Sequence, residues 1–353
     1  MAMARKPNIL LICGTLNQTT QMHKIWEEVR HYGNAYLTPY YPSHPLFKWA
    51  RRRGMLKNAI VGQGPFYYQC LDYLKEHKLP IDEEGAHHTW DLVFNCSDII
   101  WQRNIRKAKT VAVQEGLPDL HNWLTPLIKA VNGPRYLAFN VSLNYTSNLY
   151  DKLCVASEGH KAYYRDWGKI PEHKLEVTGI PNFDNIAAFE ENDFPHRDYV
   201  LVCTSDLRET YRKEDRPAFI RECVERAAGR QLIFKLHPNE VWERAKAEIE
   251  EHAPGALLYQ LGDTNAMIAN CSMLITQNST VTYVGMVLGK EVYSWLDLEK
   301  LQRELPLQNG GTSAKAIATV GLRLLDASQF DLPQPFPGET SSPTSASVAP
   351  TLA

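Results

Sequence analysis

Short apolar runs alternate with longer amphipathic stretches along most of this chain, and each run has the length of a strand. Asn8–Cys13 is the first, followed by Gly14, a polar loop, and a helical pattern from about Thr20 to His31. Ala35–Leu37, Asp91–Asn95 and Thr110–Val113 repeat the strand signal, the last two running into polar loops. The second half repeats the scheme, with strands predicted over Tyr199–Cys203, Gln231–Leu236, Ala256–Tyr259 and Met273–Thr276. Helices are predicted from about Pro217 to Ala228, over Trp242–His252, over Thr264–Asn270 behind a capping Asp263, and from Val281 to about Leu288, where Gly289 can end it. Strands alternating with helices predict an α/β fold with helices on both faces of parallel sheets.

Turn signals cluster at Val177–Asn182, and a hinge is placed near Pro181–Pro195. This divides the chain into a first domain over 1–185 and a second over 196–325. The stretch from Asp331 to Ala353 is rich in Pro, Ser and Thr and is expected to be disordered. In open parallel sheets ligands bind beyond the carboxyl ends of the strands, so the loops there are the candidates for function. Two such domains facing each other create a cleft.

Composition adds limits. Among 353 residues 44% are hydrophobic and 22% charged, enough to bury a large core unaided by disulfides or metals. A net charge of -2 gives no overall attraction to nucleic acid, and none is expected as a partner. One local basic run, Lys48, Arg51, Arg52, Arg53 and Lys57 interleaved with Phe47, Trp49 and Met55, is open to two readings. It is a solvated helix face, or it docks weakly onto an anionic membrane surface or glycan. The seven cysteines are odd in number, scattered, and free of any CxxC pair, the pattern of reduced and buried thiols. The apolar run Ile9–Cys13 is too brief for a signal peptide or a span, so a cytoplasmic location is expected, peripheral to the inner membrane face if the basic run docks.

Three loops carry candidate chemistry. Glu115, in Gln114-Glu115-Gly116, follows a strand and sits at the cleft mouth, as a general base for an acceptor hydroxyl or as a loop glutamate capping a turn. In Lys235-Leu236-His237-Pro238 the proline ends the strand and fixes the backbone after His237. His237 then binds a phosphate or protonates a leaving group, unless it only bonds a loop carbonyl; Lys235 adds charge but alternates away from it. In Gln277-Asn278-Ser279-Thr280 the hydroxyls precede a helix, where they bind an anion, cap the helix, or do both. Thr204 and Ser205, before Asp206, repeat that arrangement more weakly. No GxGxxG, P-loop, GxSxG or Asp-x-Asp pair occurs, so no resident cofactor and no metal are expected, and protein donors would stabilise phosphate charge. His87 and His88 read as loop residues.

Taken together, Glu115-Gly116, His237-Pro238 and Ser279-Thr280 make the chain resemble glycosyltransferase-B (GT-B) enzymes of capsule and surface-polysaccharide synthesis, nearest to the bacterial sialyl-/polysialyltransferases and Kdo-type transferases. The segment from Leu153 to Asp184 is similar to one shared by those transferases and the UDP-GlcNAc 2-epimerases. The resemblance implies two Rossmann-like domains facing a cleft, a nucleotide-sugar donor bound as co-substrate, and a glycan or lipid-linked acceptor. It gives Glu115 the role of base and His237 that of acid or phosphate contact. Lys235, Pro238, Ser279, Thr280, Thr204, Ser205 and Asn278 would surround the donor.

The chain departs from the pattern in two places. Its acidic motif holds one carboxylate, and no carboxylate follows Ser279 before Glu291. The second departure weighs against a 2-epimerase, which needs acids on both sides of the sugar. It also tilts the donor from a UDP-linked toward a CMP-linked sugar. The alternatives are a UDP-GlcNAc 2-epimerase-like enzyme, a CDP-polyol phosphotransferase, and a non-catalytic glycan-binding subunit.

Overall fold

The computed structural model describes residues 5–53, 64–118, 121–138, 140–209, 212–326 and 328–332. Met55, Lys57 and the tail from 333 lie outside the described residues. Six strands, β1 (Asn8–Ile12), β2 (Asn34–Thr38), β3 (Leu92–Asn95), β4 (Lys109–Val113), β5 (Lys152–Val155) and β6 (Leu175–Val177), form one parallel sheet in the order β2-β1-β3-β4-β5-β6. Five more, β7 (Val200–Cys203), β8 (Leu232–Lys235), β9 (Leu257–Tyr259), β10 (Met273–Thr276) and β11 (Glu291–Ser294), form a second in the order β11-β10-β7-β8-β9. Every pairing in both is parallel. The central strands β3, β7, β8 and β10 are buried at every position, as expected where both faces are covered.

The helices are α1 (Leu16–Val29), α2 (Pro45–Arg52), α3 (Pro65–Glu76), α4 (Leu124–Ala130), α5 (Glu158–Asp166), α6 (Arg216–Ala227), α7 (Trp242–His252), α8 (Thr264–Asn270), α9 (Val281–Val287), α10 (Leu298–Arg303) and α11 (Ser313–Leu322). Asp263 caps α8 through the amides of Asn265 and Ala266, as the sequence suggested. The loop expected after β1 is instead the first turn of α1. Thr15 and Gln18 close a capping box there, so the helix starts four residues before Thr20.

Strand order reverses between β1 and β3 in the first sheet and between β7 and β10 in the second. These are the switch points at which doubly wound sheets open a crevice.

The boundary drawn at residue 325 is not a spatial one. Ala314, Ile317, Ala318, Leu322 and Leu325 pack with Ile9, Leu11 and Phe94 in the core of the first sheet, so α11 returns to that sheet after the second is complete. Leu332, within the stretch expected to be disordered, is buried in the same core, and Asp331 N–H donates to the Arg5 carbonyl.

The two crossings between the halves lie side by side. The amides of Asn309 and Gly310 donate to the Asp184 carbonyl, and Ser313 N–H donates to its carboxylate at 2.8 Å. Gln308 donates to the Phe183 carbonyl at 2.6 Å and accepts from Ile186 N–H. Seven free cysteines, all buried, complete the interior.

Close approach of backbone to backbone fixes one glycine beside this junction. A Cβ on Gly159 of α5 would stand 2.1 Å from the Arg303 carbonyl oxygen and 3.0 Å from Glu304 Cα. No rotamer relieves a clash with main chain. Gly159→Ala is therefore expected to cost about 1–3 kcal/mol, read as a lower urea midpoint with an unchanged m-value.

Candidate functional site

The carboxyl edges of the two sheets meet at a cavity of about 270 Å³. Thr15, Asn17 and Gln18 line it from the start of α1, Ser97 from beyond β3, and Glu115 with Gly116 from beyond β4. Tyr40, Val141, Tyr145 and Tyr164 form an aromatic and apolar wall. Thr280, from the loop after β10, closes it from the second sheet. The approach is tight: a Cβ on Gly116 would meet Thr280 Cγ2 at 2.8 Å.

Among the described residues Glu115 is held without a cation. Its Oε1 accepts from Thr15 Oγ1 at 3.1 Å and Asn17 Nδ2 at 3.0 Å, and its Oε2 accepts from Gln18 Nε2 at 2.6 Å. Burial pushes the carboxyl above the usual glutamate value, while these three hydrogen bonds pull it partway back. Gln114 fixes the turn that presents it. The Gln114 amide donates to the Gly116 carbonyl at 2.8 Å and accepts from Ala156 N–H at 2.9 Å, and its own carbonyl accepts from Gln21.

The opposite wall stores strain. Tyr145 has φ 62, a left-handed conformation costly for a bulky residue. It is held from several sides. Its N–H donates to buried Asp98, its hydroxyl donates to the Cys96 carbonyl at 2.7 Å, and its carbonyl accepts from Tyr150. Asp98 also accepts from Ser147 N–H at 2.8 Å, and burial raises its carboxyl above the ordinary aspartate value.

The remaining candidates gather at the carboxyl edge of the second sheet, outside that cavity's lining. Ser205 N–H donates to Gln277 Oε1 at 3.1 Å, and the Ser205 hydroxyl lies 3.4 Å from both the N–H and the carbonyl of Asn278. Ser279 Oγ accepts weakly from Val281 N–H at 3.4 Å. Thr280 holds the cap position of α9 without a side-chain capping bond, so its side chain is left to the cavity. His237 and Pro238 open a turn closed by Glu240 N–H donating to the His237 carbonyl at 3.0 Å. Asn239 N–H donates to His237 Nδ1 at 3.2 Å, and the Asp206 carboxylate lies 3.6 Å from the same nitrogen. Positions 235 and 237 are two apart, so strand alternation does not separate them; the Lys235 ammonium is instead taken up by the carbonyls of Leu236 and Gln260, and burial lowers its pKa. The Thr204 hydroxyl is taken up by the Glu240 carboxylate.

Behind these loops lies an ion network that the sequence reading did not find. Arg216, 1% exposed, donates to Glu240 Oε1 at 2.6 Å and to the Ser205 carbonyl at 3.1 Å, and its Nε lies 3.0 Å from Glu214. The side chain of Glu214 is fully enclosed and also accepts from Gln277. One guanidinium thus ties together the loops after β7, β8 and β10.

His87 and His88 both bond buried Asp82, at 3.0 and 2.6 Å, and serve that loop. Among the described residues no group of three His, Cys, Asp or Glu side chains could hold a metal ion. No helix among them is long and apolar enough to cross a membrane.

Thr15, Asn17 and Gln18 carry no dinucleotide fingerprint to single them out in the sequence. The T-x-x-Q capping box was the available signal.

These two facing parallel sheets define an α/β fold of the GT-B type. No family model and no curated protein matches the chain. Solved structures do. The UDP-GlcNAc 2-epimerase of Neisseria meningitidis, solved bound to UDP-GlcNAc, is similar with a TM-score of 0.54 at 13% identity, over 90% of this chain and 100% of that one. A Listeria monocytogenes protein labelled as a UDP-N-acetylglucosamine 2-epimerase scores 0.56 at 12% identity, over 94% and 99%. The UDP-N-acetylglucosamine 2-epimerase of Rickettsia bellii scores 0.50 at 11% identity, over 91% and 96%. At such identities the likeness is one of fold.

Proposed function

We propose that this chain is an enzyme acting on a nucleotide sugar, and that it transfers the sugar to an acceptor hydroxyl by in-line displacement. The observation that carries this reading is Glu115: one carboxylate, raised by burial and held by three neutral donors, facing a cavity closed by Thr280 from the other sheet. A single base is what such a transfer requires. Tyr40, Tyr145 and Tyr164 give an acceptor sugar apolar faces to lie against.

Glu115 takes the proton of the acceptor hydroxyl as that oxygen attacks the anomeric carbon, and the bond to the nucleotide phosphate breaks. The leaving phosphate is placed among Ser205, Asn278, Ser279 and Thr280. The Nδ1 of His237 accepts from Asn239, so Nε2 carries the ring hydrogen and can donate to that phosphate. The protein groups that hold the phosphate make transfer insensitive to chelators in this reading. The acceptor is a surface glycan, free or lipid-linked, and the enzyme works in the cytoplasm, peripheral to the membrane.

A second reading, 2-epimerisation, is favoured by the similarity of the fold to UDP-GlcNAc 2-epimerases. One experiment separates the two. A thermal-shift panel of CMP, CDP, UDP and GDP identifies the nucleotide, since a ligand of the native state raises Tm by mass action. The matching nucleotide sugar is then supplied with and without an oligosaccharide acceptor. Transfer predicts release of nucleotide that depends on acceptor; epimerisation of the sugar nucleotide without acceptor would overturn it.

A further inference from the structure

We infer that the surface formed by α2, α4 and the turn Arg135–Ala138 docks the protein onto an anionic lipid bilayer, with the Glu115 cavity opening beside the lipid. Among the described residues two helices leave apolar stripes without a partner. On α2, Leu46 (62% exposed) and Trp49 share a face with Arg53, whose guanidinium lies 5.3 Å from the Trp49 ring centroid. Trp123 (78% exposed), Leu127 and Val131 recur every fourth residue along the outer side of α4, while Ile128 on the inner side packs with Ala138 and Leu143. Phe47 and Tyr136 meet edge to face at 5.3 Å and join the two helices into one surface. Large apolar side chains exposed together in this way mark an interaction site.

The chemistry of the rim selects the occupant. Residues 44–53 and 121–141 contain no Asp or Glu, and Arg53 beside Trp49 and Lys129 on α4 are among their cations, with Arg103 standing next to α2. Lys48 is the exception to a cationic rim, because Glu84 neutralises it at 2.5 Å. Arg103 stands beside α2, its N–H donating to Ser43 Oγ at 2.7 Å. Tryptophan and tyrosine amid lysine and arginine is the composition that settles at a headgroup boundary with anionic lipid. A second copy of the chain is a poor occupant, since a twofold contact would set these cations against their own equivalents.

The surface also adjoins the cavity. Leu117 and Pro118 line it, and the chain leads from them to Trp123. The docking stands on this surface alone; that the acceptor is lipid-borne follows only if the transfer reading holds.

The test is cosedimentation of the full chain with vesicles of phosphatidylcholine, with or without phosphatidylglycerol, in the absence of any sugar. Binding is expected only to the anionic vesicles, and it should weaken at 1 M salt, where the screening length falls to about 3 Å. Replacing Trp49 and Leu127 together by serine should lower the partition by about tenfold or more. Reversing Arg53 and Arg103 to glutamate should lower it as well, with the nucleotide-induced Tm shift of both variants unchanged. Absence of binding to anionic vesicles overturns the proposal. So does binding that these variants leave intact, or self-association that the serine pair abolishes without any vesicle binding. Because no sugar is present, failure here leaves the transfer reading untouched, and loss of transfer leaves vesicle binding standing.

Discussion

Glu115→Gln should lower turnover by about 10²- to 10⁴-fold, the usual contribution of a positioned base, while nucleotide binding persists. Folding should not suffer. Burial raises the Glu115 carboxyl in the native state. A group raised in this way contributes stability below its unfolded value and loses that contribution as pH rises. At neutral pH the ionised side chain is therefore a cost that the neutral amide removes, and a thermal melt should show no decrease in Tm. The same shift sets the pH profile. The acidic limb of kcat/KM should lie above the ordinary glutamate value of about 4.3. Asn17→Ala removes a donor that favours the charged form, so it should push the limb further toward alkaline pH. A limb that stays in place in this variant, or full turnover in Glu115→Gln, removes Glu115 from the role of base.

Arg216→Met should be the most destabilising single change outside the apolar core. The substitution keeps much of the side-chain volume but leaves Glu240 enclosed without its cation and Glu214 with Arg208 alone, 3.5 Å away. Breaking such a pair from one side typically costs about 3–5 kcal/mol. Replacing both glutamates by glutamine in the same chain should recover much of the loss, because no uncompensated charge is then left behind. Calorimetric melts of the single and triple variants check both expectations. A single variant as stable as the parent would show that the network contributes nothing. Arg216 also binds the Ser205 carbonyl, so the single variant should raise KM for the nucleotide sugar more than it lowers kcat.

The sequence exposed much of the second half because its strands are nearly unbroken apolar runs and its turns are well punctuated. Trp242–His252, Thr264–Asn270 and Met273–Thr276 fall where the pattern placed them. The neighbouring strands β7, β8 and β9 differ from their expected bounds only at the ends, where fraying and assignment vary. In contrast, β5, β6 and β11 are as short but mix charged or polar side chains into the run, so nothing in their period sets them apart from turns.

The return of α11 to the first sheet was invisible for another reason. An amphipathic helix records that it has an apolar face, not which of two cores that face meets. At the site, Glu115 was legible from its place after a strand. Its three partners come from a turn one hundred residues away, and Arg216 acts from behind the loops, where no motif points.

The return of α11 makes the second sheet topologically an excursion. The polypeptide leaves one unit near Phe183 and re-enters it near Gln308, through two doorways that share a frame of hydrogen bonds around Asp184. A body hung on two adjacent threads can swing about the line joining them but cannot slide or separate. Turning the second sheet about that line would carry Thr280 away from Gly116, where a Cβ would stand 2.8 Å from Thr280 Cγ2.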